Sequence, residues 1–455
     1  MRIRGWKLAA GVFLFILFYY RGFSRNYIGG DDVWLIDSAP KGLGRVLELF
    51  SDIGGTYRPI PFSLFSIYRL FGENTVLMHW IPIVLHAANS VLVLAFAGLF
   101  TSSRFAALTS ALVYSLSHIV FFDVYTLTGL VDQIFMVVSL ITLFALVKYL
   151  RTGRKGWFWM SAGTFVVAIF SKESFVSIAL VALYLIFSQV GRGMNRKRIG
   201  EAAWYFIPTV IYFALKLFFY REQGEAYTYN IQLDQLTENI LHYGLWLVNW
   251  RHGWQMGMPY EPNRFHDVFS FMYALMLGQA AHHLLRKHRS EIVLPAVIGI
   301  AGLVPFYFLK RALPFYAEFT LIGVSLLIVK YANTLNVRRV PFLILVLVFT
   351  VYFSQTSLAQ WVKYSFSARG VEAAEQYKLQ VVDAYDWSKY KKLCLNNLGE
   401  YELWATGVGQ LVNLGGERVE VQVVRDCARD DEIQIEWDGG SYVSPKEKTD
   451  EESSQ

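Results

Sequence analysis

Stretches of roughly 18 or more mainly apolar residues recur along most of this chain, and that pattern constrains the fold more than any motif does. Hydrocarbon offers no partner to a free backbone N–H or C=O, so each stretch that spans a bilayer must be helical. The expected fold class is therefore an all-α polytopic membrane protein. Composition agrees: 54% of the 455 residues are hydrophobic and 17% charged, with a mean hydropathy of +0.34. The net charge of +6 does not point to nucleic acid, because no basic face with interleaved aromatics accompanies it.

The first apolar run, Leu8–Tyr20, follows the basic "MRIRGWK" and is bracketed by Lys7 and Arg21, which can snorkel. No small-residue cleavage site follows, so a retained span is expected rather than a signal peptide. Further spans are expected near 77–100, 105–122, 127–150, 157–173, 175–190, 202–220, 266–285, 291–309, 314–331 and 340–358, about eleven in all. Arg104, "RTGRK" at 151–155, "GRGMNRKR" at 191–198, "RKHR" at 286–289 and Arg338–Arg339 fall in alternate loops. That is the positive-inside signature and marks their side as cytoplasmic. The N-terminus is then cytoplasmic and the C-terminus exoplasmic, in a multi-pass protein of the plasma membrane.

This topology leaves three long segments outside: 21–76, 221–265 and the tail. The domain division expected is 1–360 transmembrane, 361–440 a small exoplasmic lobe and 441–455 a polar disordered tail. Within the lobe, "YKKLCLNNL", "RVEVQVVRDC" and "EIQIEW" alternate like short strands, so 380–438 is expected to be β-rich. Both cysteines, Cys394 and Cys427, fall there; on an oxidising face a disulfide between them is expected.

The first outer segment opens with "YIGGDDVWLIDSAP". Asp31 and Asp32 follow Gly29 and Gly30, which free the backbone for a close approach, while Asp37 reads as a cap or loop residue. "KGLGRVLELFSD" and "RPIPFSLFSIYRLFG" have the spacing of short amphipathic helices suited to a lipid interface. Arg58 stands before the second, where a guanidinium can pair with phosphate. Polar groups inside spans face the bundle interior or a cavity. His79, His86, Asn89, Asp132 and Glu173 are therefore expected to line one. Asp123 and Asp132 flank the next outer turn, with His118 before them. "SKES" at 171–174 and "KRALPFYAE" at 310–318 bring Lys172, Glu173, Lys310, Arg311 and Glu318 to the same face.

"DDV", "YRPIPFSLF", "HWIPIVLHAANSVLVL", "SHIVFFDVYTLTGLVDQ", "SKESFVSIALVALYL" and "KRALPFYAEFTLIG", in this order, resemble the GT-C superfamily of integral membrane glycosyltransferases. The likeness is greatest to protein O-mannosyltransferase-like and tetratricopeptide-associated transmembrane enzymes, although the tail here carries no tandem helical repeats. The resemblance implies transfer of a sugar from a polyprenyl-phosphate donor to an exoplasmic protein, glycan or lipid acceptor. It implies that Asp31 or Asp32 is the base and Asp123 the second acid. The leaving phosphate needs positive charge, for which Arg58, Lys172 and Arg311 are candidates. Some relatives use a divalent metal with these acids, but the sequence displays no tight ligand cluster, and "HHLLRKH" at 282–288 falls on the cytoplasmic side. Acceptor binding is assigned by position to 221–265, with His242, His252 and Trp254. The rival reading is a transporter or flippase of lipid-linked saccharides, against which stands the lack of an internal repeat. A noncatalytic assembly subunit would leave the aspartate pair as a wet loop.

Overall fold

A computed structural model describes residues 4–26, 28, 32, 35–36, 39–40, 43–51, 57–72, 74–188, 196–219, 232–250, 264–310, 312–336, 338–364, 366–385, 392–396, 420–423, 432–437 and 442–443. Among these the chain is overwhelmingly helical. It begins with α1 (Arg4–Tyr20), followed by two short helices, α2 (Leu43–Ser51) and α3 (Pro59–Leu64). The bundle continues through α4 (Thr75–Ala97), α5 (Arg104–Ser115), α6 (Phe121–Tyr125), α7 (Leu130–Thr152), α8 (Lys155–Ile169), α9 (Phe175–Ser188) and α10 (Arg196–Phe218). It is completed by α11 (Leu233–Leu247), α12 (Arg264–Lys287), α13 (Arg289–Leu303), α14 (Glu318–Thr334), α15 (Arg339–Tyr364) and α16 (Phe366–Tyr377).

Helices occupy each of the eleven stretches expected to span, yet the count of eleven does not carry over. Among the described residues seven helices are long and apolar enough to cross a membrane, or eight if the bent pair Arg104–Ser115 and His118–Tyr125 is one span. The shortfall has simple causes. The 15 residues of α8 and 14 of α9 rise only about 22 Å each, less than the roughly 30 Å of hydrocarbon. Helix α10 is long, but it opens on Arg196, Lys197 and Arg198 and carries Glu201 and Lys216.

The helices interlock through small residues and polar bridges. A Cβ on Gly323 of α14 would stand 2.7 Å from Gly299 N and from Pro295 O of α13. The two backbones touch there, and Thr320 Oγ1 donates to Gly299 O at 3.0 Å across the same contact. Between α4 and α5, His86 Nε2 lies 3.0 Å from Ser115 O, the carbonyl to which Tyr20 of α1 also donates at 2.7 Å. Asn89 donates to Gln133 of α7 at its backbone O, 3.0 Å, and its Oε1, 2.8 Å. Such bonds satisfy polar atoms where no water is at hand.

Past α16 the described residues include four strands: β1 (Lys392–Asn396), β2 (Glu420–Val423), β3 (Glu432–Trp437) and β4 (Tyr442–Val443), in sheet order β2-β1-β3-β4. β1 runs parallel to β2 and β3, and β3 is antiparallel to β4. Leu393, Leu395 and Ile435 share one buried apolar cluster with Ile28, Leu35 and Ile36, with Leu127, Leu130 and Val131, and with Ala374 and Tyr377 of α16. The sheet and the first outer segment therefore meet at the end of the bundle where α7 begins.

Candidate functional site

Three acids converge at that same end, each in the first turn of a helix: Asp123 of α6, Asp132 of α7 and Glu318 of α14. A helix N-terminus favours nearby negative charge by about 0.3–1 kcal/mol. All three side chains are buried, and one ligand atom from each lies within 4.8 Å of the others. Asp123 and Asp132 flank one outer turn, but Glu318 comes from a segment far along the chain, so only folding assembles the three. Residues able to hold a hard cation are thus present.

Their surroundings set what each can do. Lys172 is 2% exposed and forms an ion pair with Asp132. Its ammonium also sits 5.4 Å from the Tyr316 ring centroid, 5.8 Å from that of Phe306 and 6.0 Å from that of Phe315. Those cation–π contacts hold an ammonium where water is scarce. Tyr114 donates to Glu318 Oε1 at 2.6 Å, fixing that carboxylate. Both oxygens of Asp123 are buried without a hydrogen-bond partner among the described residues. The Asp123 backbone is pinned from behind, because a Cβ on Gly129 would overlap its carbonyl oxygen and Cα. Glycine is required here for space.

The first outer segment docks beside this cluster. Asp32, 2% exposed, accepts from Thr128 N at 2.7 Å and from Thr128 Oγ1 at 3.0 Å. Thr128 immediately precedes Gly129, so the Asp32 carboxylate and the Asp123 loop are fastened to one turn. Arg58 forms a two-point pair with Glu173, Nε to Oε2 at 3.0 Å and Nη2 to Oε1 at 2.5 Å. Ile60 N donates to Phe170 O at 3.1 Å beside it. Burial alone would raise the Glu173 pKa, but the Arg58 charge and hydrogen bonds, with Lys172 adjacent, overcome it and hold the group at about 2, against an ordinary 4.5. The 171–174 turn is thus a clamp: Lys172 reaches the acid cluster and Glu173 the first outer segment.

The expected site residues separate on this geometry. Asp123, Asp132 and Lys172 come together, with Asp32 on the neighbouring turn. Arg58 and Lys172, expected at a donor phosphate, are engaged by Glu173 and Asp132. His79, His86 and Asn89 are fully buried; His79 Nδ1 bonds Thr75 O at 2.9 Å, and the other two tie helices together as described. Asp31, Asp37, Arg311, His252, Trp254 and Cys427 lie outside the described residues. Cys394 is fully buried and disulfide-bonded. His242 stacks on Trp246 with centroids 5.7 Å apart. Sequence reasoning passed over Tyr114, Gly129 and Thr128, which look like ordinary span and turn residues. The Gly in "LTGLVD" was the one legible hint, a turn residue between two acids.

The other end of the bundle is basic. Arg151 donates to Leu99 O at 2.5 Å, Arg339 to Ala332 O at 2.9 Å, and Lys330 pairs with Glu291. The acid end, by contrast, mixes its Asp and Glu with Lys172 and Arg58.

Comparison with known proteins adds one finding. The family model described as dolichyl-phosphate-mannose-protein mannosyltransferase matches residues 60–215, about a third of the chain. No curated protein matches significantly. The matched stretch runs from α3 into α10 and includes Asp123, Asp132, Lys172 and Glu173, while Asp32, Arg58 and Glu318 lie outside it. Over that stretch the chain is similar to membrane enzymes of this description.

Proposed function

We propose that this chain is a polytopic membrane glycosyltransferase that moves a sugar from a polyprenyl-phosphate carrier to an exoplasmic acceptor. The observation that carries the reading is the gathering of buried acids at one end of the bundle, within and beside the stretch similar to the mannosyltransferase family. The acid end is exoplasmic and the basic end cytoplasmic, as the distribution of Arg and Lys favours. No nucleotide sugar is normally available on that face, so the donor arrives in the bilayer.

In this mechanism a first-segment carboxylate, Asp32 or its neighbour Asp31, removes the proton of the acceptor hydroxyl as its oxygen attacks the anomeric carbon. The bond from that carbon to the phosphate oxygen breaks, its electrons leave with the polyprenyl phosphate, and the anomeric centre inverts. Thr128 holds the Asp32 carboxylate in place while it acts. The released phosphate needs positive charge. Arg58, Lys172 and Arg311 are the available cations, and a phosphate reaching Arg58 would exchange with Glu173.

The test is a panel of polyprenyl-phosphate sugars offered to the purified chain with candidate acceptors, read by mass spectrometry of the products. Transfer of one sugar, lost in Asp32→Asn and Asp31→Asn combined, is expected. Passage of intact lipid-linked saccharide across proteoliposomes without any product would contradict it and favour a transporter.

A further inference from the structure

Helix α1 packs on α4 and turns its other face outward, with Leu14 and Phe18 each 63% exposed. Its last residue, Tyr20, bonds Ser115 O close to the acid cluster, so its first turns lie toward the basic end. There α1 and α4 part to leave an almost wholly apolar groove of about 560 Å³. Ala10, Phe13 and Leu14 line one wall, and Ala88, Val91 and Leu92 the other. The small side chains of Ala10 and Ala88 keep the space open. An apolar hollow of this kind holds no water, and at this depth along two spanning helices its surroundings are hydrocarbon.

The mouth of the groove carries charge. Lys7, Ala10 and Leu14 stand at i, i+3 and i+7, so exposed Lys7 continues the α1 wall toward the basic end. On α4 the same outward stripe runs from Val91 and Leu92 through Ala95 to Leu99. The Leu99 carbonyl accepts from Arg151, whose exposed guanidinium also lies 5.2 Å from the Phe100 ring centroid. One cation thus stands beyond each wall, both on the side of the basic end.

We infer that the α1–α4 groove binds one anionic phospholipid, with an acyl chain between the alanines and its phosphate between Lys7 and Arg151. Charge complementarity decides the occupant. Apolar walls do not discriminate one hydrocarbon tail from another, because lipid is as apolar as they are. A pair of cations at the headgroup level does discriminate, in favour of negative charge. A helix of a second copy fits the space less well. One turn of a cylinder ~10 Å across and ~5.4 Å long takes up roughly 420 Å³, so the groove admits little more than a single turn. The polyprenyl carrier of the proposed reaction offers its phosphate at the acid end, so the basic mouth selects a different lipid. This site is argued from the shape and charge of the groove and does not depend on the transfer reaction.

The full chain, purified in detergent, is offered phosphatidylglycerol and phosphatidylcholine of identical acyl chains in equal amounts, and retained lipid is read by native mass spectrometry. Retention of a single phosphatidylglycerol is expected, preferred over phosphatidylcholine by at least about fivefold. Lys7→Gln with Arg151→Gln should abolish that preference, while Arg286→Gln, an exposed cation on α12, leaves it unchanged. Ala10→Leu with Ala88→Leu should remove the retained lipid of either kind, while Val166→Leu on the exposed face of α8 does not. Unfolding temperatures show which variants fold. Should Arg151→Gln fail to fold, Lys7→Gln alone serves, with at least about a twofold loss of preference expected. A wild-type chain without preference overturns the inference, as does a preference that survives the folded charge variants or the filled groove. A dimer that the filled groove abolishes overturns it too, since a second copy would then be the occupant. With no sugar donor in the assay, none of these results bears on glycosyl transfer.

Discussion

Asp32 and Asp123 are held at one turn of the acid end, the first by Thr128 and the second with Gly129 packed against its backbone. Both are acids near turns, legible as candidates. That Asp32 is fastened by Thr128, and that Asp123, without a hydrogen-bond partner among the described residues, faces Glu318, depends on contacts between segments remote in sequence. Two predictions belong at this scale. Gly129→Ala forces a methyl group into the Asp123 backbone, and overpacking of this kind costs about 1–3 kcal/mol. The expected outcome is a lower unfolding temperature together with loss of transfer, since the acid loop must move. The Arg58–Glu173 pair gives a pH signature. Its folded pKa of about 2 lies below the ordinary 4.5, so its stabilisation is complete above about pH 4.5 and vanishes as pH falls through about 2. Glu173 remains 27% exposed at its side chain, so Glu173→Gln should cost on the order of 2 kcal/mol, less than the ~3–5 of a fully buried pair. Unfolding at stepped pH between 5 and 2 checks this. The wild type should lose stability over that window, and the variant should lose less.

Among the elements, helices were legible and spans were not. Apolar runs reported a helix at every expected position, because the chain's hydrophobicity and its helix boundaries coincide. Crossing a bilayer also requires length, and α8 and α9 are short, separated by the 171–174 turn whose Lys172 meets the acid cluster. Lys172 and Glu173 are expected from the sequence as a phosphate-binding and a cavity-lining group, but one-dimensional patterning does not reveal that Asp132 and Arg58 are their partners. The α13–α14 contact is an element-scale feature with its own test. Gly302 and Gly323 admit almost no Cβ, so Gly323→Val should separate the helices. We expect a loss of about 1–3 kcal/mol, seen as reduced thermal stability in detergent, and displacement of Glu318, which begins α14.

At the scale of the whole molecule, the buried acid end, the Arg and Lys of the opposite end and the stretch similar to mannosyltransferases fit the reading proposed above: a bundle that works at its acid end on a lipid-borne substrate. The sheet and α16 share a buried cluster with the first outer segment, so the C-terminal region closes over the same end. No local pattern announced that contact. The orientation is checked by Gly153→Cys, at the turn between α7 and α8. A membrane-impermeant thiol reagent should label it only from the cytoplasmic side, and labelling from outside would invert the assignment.

The most direct test of the central claim follows the donor. With the purified chain in lipid nanodiscs, a cognate polyprenyl-phosphate sugar and an acceptor identified from the product screen, release of polyprenyl phosphate is measured over time. The wild type is expected to release it in step with glycosylated acceptor. The Asp31→Asn, Asp32→Asn double variant, folded to the same unfolding temperature, should be slower by at least a hundredfold. Equal release by the folded double variant would contradict the account.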